Sequence, residues 1–281
     1  MRQARVNYDA IAHLYDATPY RAKPVDPELI SFAKQCPTDE IAVLDIGCGT
    51  GNQLIANRGA LNSAWMVGVD PFAGMLRQAK RKAAEIAWVQ ADGSTLPFHD
   101  QSFDFISCQF VFHHIGNKSG CLTDAFRVLR PGGRFVLRNV SPHDCPDWLF
   151  YIYFPEAAAV DLHDFWSPET LQAEMEQAGF ATLTVDRQHI RYEQDMRAWF
   201  DEVRTRGTCS QLLAIPDAAY EAGLDRLTQE LSAHGGLFAR QNHVCFVTIR
   251  GEKPKSMPLS VCRRNSVPVG RRRRAGRAIS N

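Results

Sequence analysis

The chain has 281 residues, 45% hydrophobic and 22% charged, a globular composition that excludes a wholly disordered chain and suits one large α/β domain or two small ones. Its 32 Lys and Arg nearly cancel 31 Asp and Glu, but unevenly: residues 251–281 carry nine bases and one acid, and residues 1–250 carry 23 bases and 30 acids. An acidic body argues against a nucleic-acid groove on the folded part, because phosphate contacts draw on Lys and Arg.

In chain order, mostly apolar runs at 41–46, 65–69, 86–90 and 103–107 are short and bounded by Gly, Pro or Asp. They predict strands buried on both faces, and a fifth run at 134–138 follows Pro131-Gly132-Gly133. Residues 72–82 set Phe72, Met75, Leu76 and Ala79 at helical spacing, and residues 121–129 do the same with Leu122, Ala125, Phe126 and Leu129. Strand and helix thus alternate from 41 to 140, which predicts an open parallel α/β sheet. Ser167-Pro168-Glu169 supplies an N-cap, a first-turn proline and an acid for a helix that Gly179 ends, with a strand expected at 180–185. Helices are expected at about 195–206 and 216–233, and a last strand at 244–249. Beyond Gly251, Pro, Ser, Arg and Gly dominate, and residues 251–281 read as a basic disordered tail.

No apolar run approaches the ~18 residues of a membrane span, and the first nine residues lack an apolar signal core. Eight cysteines (36, 48, 108, 121, 145, 209, 245 and 262) are scattered with no C-x-x-C pair, as expected of reduced thiols in a cytoplasmic protein. No pair of histidines has ligand spacing backed by Cys or Asp, so no metal is expected.

The first strand runs into Leu44-Asp45-Ile46-Gly47-Cys48-Gly49-Thr50-Gly51. Glycines at 47, 49 and 51 permit a sharp turn and the close approach of a ligand. Asn52 stands where the dinucleotide fingerprint needs a fourth-spaced glycine, and no G-K-[ST] follows, so the loop suits a nucleoside without a pyrophosphate. The second strand ends in Val69-Asp70-Pro71, which places an acid to accept hydrogen bonds from ribose hydroxyls. Ala91-Asp92-Gly93 brings a third acid to the same sheet edge.

These residues, with Ser-Phe-Asp (102–104), Phe-His-His-Ile (112–115) and Arg-Val-Leu-Arg-Pro-Gly-Gly (127–133), resemble the class I S-adenosylmethionine-dependent methyltransferases, in particular the small-molecule branch that includes ubiquinone and menaquinone biosynthesis enzymes. The likeness covers about residues 40–140, and Asn7-Tyr8-Asp9 with Tyr15-Asp16 is similar to that family's N-terminal cap helix, expected at about 5–17. The resemblance implies one domain over 1–250 with a Rossmann-like seven-stranded sheet, order 3-2-1-4-5-7-6, last strand antiparallel, helices on both faces. It implies S-adenosylmethionine as cofactor, held by Asp45, Gly47, Cys48, Gly49, Gly51, Asp70, Pro71, Met75, Asp92, Gly93 and Gln109. In this reading Asp45 lies near the methionine ammonium, Asp70 on the ribose, Asp92 on the adenine amine and Gln109 near the sulfonium.

His113, His114 and His163 are candidate general bases, since histidine accepts a proton near neutral pH. Seven aromatics crowd residues 148–166, where the family often inserts a lid, and Trp148, Tyr151, Phe165 and Trp166 join Tyr8 and Tyr15 as substrate candidates. A helix packing the same rings into core is the competing reading. An aromatic lining favours a flat or lipid-like small-molecule acceptor. Two other expectations stand beside it: an RNA methyltransferase tethered by Arg271 to Arg274, and a cofactor-binding protein without transferase activity.

Overall fold

The computed structural model describes residues 7–13, 15–17, 21–38 and 40–255. The chain begins with α1 (Tyr8–Ile11), a 3-10 turn at Tyr15–Ala17 and α2 (Pro27–Ala33). The alternating region follows: β1 (Ala42–Ile46), α3 (Asn52–Ala60), β2 (Trp65–Asp70), α4 (Ala73–Lys82), β3 (Ala87–Gln90) and β4 (Phe103–Gln109). A 3-10 turn at Phe112–His114 leads to α5 (Lys118–Val128) and β5 (Leu129–Val140). The remainder is α6 (Leu149–Tyr153), α7 (Pro155–Asp164), α8 (Pro168–Ala178), β6 (Ala181–Asp195), α9 (Met196–Val203), α10 (Ser210–Ala214), α11 (Asp217–Ala233) and β7 (Ala239–Glu252).

The strands form one sheet in the order β3-β2-β1-β4-β5-β7-β6, with β7 antiparallel to both neighbours and the other pairings parallel, as the resemblance implies. The alternation of β1 explains the two layers of helices, because successive side chains of a strand face opposite ways. Leu44 and Ile46 pack with Leu122 and Ala125 of α5 and Leu171 and Met175 of α8. Val43 packs with Leu29 and Phe32 of α2, Leu54 of α3 and Leu76 of α4. A further core joins α6, α7, α9, α10 and α11 to Val244 and Cys245 of β7.

Several boundaries differ from the expectation. β6 continues past 185 to Asp195, paired with β7 along most of its length, so β7 starts at Ala239 and α9 shortens to Met196–Val203. It is the sheet edge, its residues are largely exposed, and Arg187 to Gln194 therefore carry no apolar run. β5 starts at Leu129 and runs through Pro131-Gly132-Gly133, with Gly132 at φ 83°. The expected cap helix is instead a one-turn helix and a separate 3-10 turn. Residues 141–166 form two packed helices. Gly251 and Glu252 belong to β7, and Lys253 is buried, donating to the carbonyls of Phe126 and Arg127 at the end of α5. The rest of the expected tail, residues 256–281, lies outside the described residues.

Candidate active site

The loop from β1 to α3 turns at the carboxyl edge of the sheet with Gly47, Gly49 and Gly51 at φ 72°, 54° and 82°, a region that L side chains avoid. A methyl at Gly47 would lie 2.4 Å from Val111, and one at Gly51 2.4 Å from Trp88, so both positions are closed by packing. At Gly49 a methyl would meet nothing within 4 Å. That open position is the cradle a ligand would fill. The Cys48 thiol turns inward against Gly68, so the backbone is what this residue offers at the edge.

Three buried acids face this loop. Asp70 accepts the N–H groups of Gly49 and Phe72, each at 2.9 Å; burial raises its carboxyl above the ordinary range, against the pull of those two donors. Asp45 accepts the Ser107 hydroxyl at 2.6 Å, and burial foremost, with Asp26 and Asp70 adding repulsion, pushes it up to about 7. Asp26 caps α2 and accepts Gln109 Nε2 at 2.9 Å. A ligand carrying an ammonium and a sulfonium suits such a set, since each nearby cation favours the ionised acid. Asp26 was missed in the sequence although Asp26-Pro27-Glu28 repeats the cap-Pro-Glu pattern that marks α8. Asp92 is exposed and accepts both the N–H and the hydroxyl of Ser94, whereas Gly93 is buried against Ile46 and Ile115.

The N-terminal segment closes over this edge. Asp9 accepts the Gly74 N–H at 2.5 Å, and Asp16 accepts from Thr50, Asn52 and Lys82, tying the segment to α4 and to the glycine loop. Tyr8 meets Phe72 and Tyr15 edge-on, with centroids 5.4 and 6.1 Å apart, and its hydroxyl lies 3.0 Å from His114 Nε2. Burial raises the Tyr8 phenol, which stays protonated at neutral pH. The sequence reading placed Asp9 and Asp16 in the cap segment, through the Tyr-Asp pair that occurs twice, without assigning their carboxylates a role. Met75 is buried in α4, and Pro71 is exposed with its carbonyl accepting Gln90 Nε2.

Beyond Tyr8 lie the histidines. His113 stacks on Phe165 with centroids 4.0 Å apart, and its Nδ1 is 3.1 Å from the Asn139 amide nitrogen. Asn139 Oδ1 accepts the Val140 N–H, which leaves the amide as the donor to His113. Trp166 meets Phe112 edge-on, so Phe165 and Trp166 both reach this loop. Trp148 and Tyr151 do not: they are buried in the helical core, where the Tyr151 hydroxyl donates to Asp161 at 3.0 Å. His163 is 60% exposed on α7, bonded to Asp164.

The Methyltransferase domain family matches residues 44–137. A demethylmenaquinone methyltransferase of Thermus thermophilus is 30% identical over 180 residues, covering 54% of this chain and 76% of that enzyme. One from Lactiplantibacillus plantarum is 32% identical over 143 residues, 46% of this chain and 60% of that enzyme. Among solved structures, the YcgJ protein of Bacillus subtilis shares the fold with a TM-score of 0.56 at 21% identity, over 81% of this chain and 97% of that one. Glycine cradle, strand-end acids and relatives agree: the chain belongs to the class I S-adenosylmethionine-dependent methyltransferases, and S-adenosylmethionine is its cofactor.

Proposed function

We propose that this enzyme methylates a small, flat, aromatic or lipid-like acceptor received beside His113 and His114. The observation that carries this reading is the pairing of Tyr8 with His114 and of Phe165 with His113, which sets aromatic rings against two imidazoles on the loop after β4. The quinone-type acceptors named for the relatives support it. The cofactor supplies an electrophilic methyl on sulfur, so the chain's task is alignment, exclusion of water and disposal of a proton. Asp70 holds the ribose hydroxyls, Asp45 and Asp26 meet the positive groups, and Gln109 lines the path between cofactor and acceptor. Asp9 and Asp16 tie the N-terminal residues over the cofactor edge, to α4 and to the glycine loop. The proton of the acceptor's nucleophile passes to the Tyr8 hydroxyl oxygen as that hydroxyl gives its own proton to His114 Nε2, leaving the phenol neutral and the imidazole protonated. Asn139 fixes the neighbouring His113 ring. The described thiols, all free, support work in a reducing compartment such as the cytoplasm.

Incubation with methyl-labelled cofactor and a fractionated metabolite extract tests this. We expect label in a small aromatic product, and an H114Q variant slower by about 100-fold with cofactor affinity retained. Label in RNA alone, or undiminished turnover in H114Q, contradicts it.

A further inference from the structure

We propose that Lys23 and Arg138 form an anion subsite at the carboxyl ends of β4 and β5, and that the methyl acceptor carries a carboxylate or phosphate held there. This deepens the acceptor reading above and rests on it. Arg138 is paired in the sheet with Gln109, and its carbonyl accepts the Phe110 N–H at 2.8 Å, which brings the subsite next to the proposed methyl path.

Three observations converge on these two side chains. First, Phe110 and Phe246 meet edge-to-face with centroids 5.9 Å apart, and each carries a cation over its ring: Lys23 Nζ 4.9 Å above Phe110, and the Arg138 guanidinium carbon 5.7 Å above Phe246. Such stacking orients a cation without neutralising it. Second, neither Lys23 nor Arg138 forms an ion pair among the described residues, and Arg138 Nε is buried with no hydrogen-bond partner. A buried donor left unmade costs the protein stability, so its retention points to a partner that arrives with a ligand. Third, Phe110 holds φ at 56°, which a phenylalanine adopts only when its surroundings impose it, and such outliers gather at ligand sites.

The acids in the neighbourhood are already engaged. Glu28 takes two hydrogen bonds from Arg250, Asp26 accepts Gln109 and a backbone N–H, and Asp45 accepts Ser107. Burial, then Arg21 and Arg138, hold the Lys23 ammonium below its ordinary range against the opposite pull of Asp45, so a ligand anion beside it would favour its charged form. The phenyl faces offer an aromatic acceptor a platform and the two cations offer its acid a clamp.

The test uses the full chain loaded with S-adenosylhomocysteine, titrated by calorimetry with benzoate and with its neutral counterpart benzamide. Benzoate should bind about tenfold tighter or better, as a charge-assisted bond predicts, and the preference should vanish in K23Q and R138Q. Both variants should bind S-adenosylhomocysteine within about threefold of the parent, a readout that also reports intact folding. Equal or absent binding of the two probes overturns the subsite. So does a tenfold loss of S-adenosylhomocysteine affinity in the variants with 5′-methylthioadenosine unaffected, which would assign the anion to the cofactor's own carboxylate. Failure of the parent chain to bind S-adenosylhomocysteine would instead strike the cofactor reading beneath it.

Discussion

Residues 42–138 and residues 141–252 contribute to one sheet, yet they are held by different means. In the first stretch the backbone is the instrument: glycines at positive φ shape a cradle, and Asp45 and Asp70 stand at strand ends in buried, costly positions. In the second, ordinary packing dominates, with Phe154 fully buried among Trp199, Tyr220 and the bare backbone of Gly223. A charge or a turn needed at one place admits few residue types. A filled volume admits many, so the second stretch can vary with the acceptor while the first stays tied to the cofactor.

The largest effect expected from this contrast is on stability. Phe154→Ala should cost about 4 kcal/mol of unfolding free energy, measured by denaturant titration, while cofactor affinity in the folded protein changes less than about threefold. A matching collapse of cofactor binding would show that the two stretches are one energetic unit. A smaller effect should appear in the first stretch and with the opposite sign. Asp45 keeps its proton to about pH 7 when folded, because burial and then the acids Asp26 and Asp70 outweigh the Ser107 hydroxyl. Unfolded, it would release that proton near pH ~4. Below that pH both states are protonated and the group is neutral to stability. As pH rises toward 7 the unfolded state is favoured progressively, and above 7 the loss is complete. The gap between pH ~4 and about pH 7 sets a ceiling of about 4 kcal/mol, and relaxation around the ionised carboxyl lowers it. Asp45→Asn should therefore stabilise the cofactor-free protein by about 2 kcal/mol at pH 8 and leave it nearly unchanged at pH 4, read from urea midpoints. A pH-independent difference would refute the assignment of strain to this carboxyl.

The same contrast governs how much could be read from sequence. The glycine loop and the strand-end position of Asp70 were legible because each answers a local requirement, and the strand order because the family resemblance implies it. The long β6 was not, since an exposed edge strand with Arg187, Gln188, Arg191 and Glu193 has no apolar run to announce it. Nor could the aromatics of 148–166 be sorted: Phe165 reaches His113 and Tyr151 enters the core, a division set by helices α6 and α7 turning between them. The cap motif pointed to Asp9 and Asp16, but what their carboxylates bind was hidden for a further reason. Their partners, Gly74, Thr50, Asn52 and Lys82, lie 34 to 66 residues away.

Asp70 is the carboxylate we propose receives the cofactor's ribose. Calorimetric titration of S-adenosylmethionine into the parent chain and into Asp70→Ala tests it most directly. The structure predicts saturable binding by the parent and a loss of about 100-fold or more in the variant, the worth of two hydrogen bonds to a buried carboxylate. Equal affinity in the two proteins would contradict it.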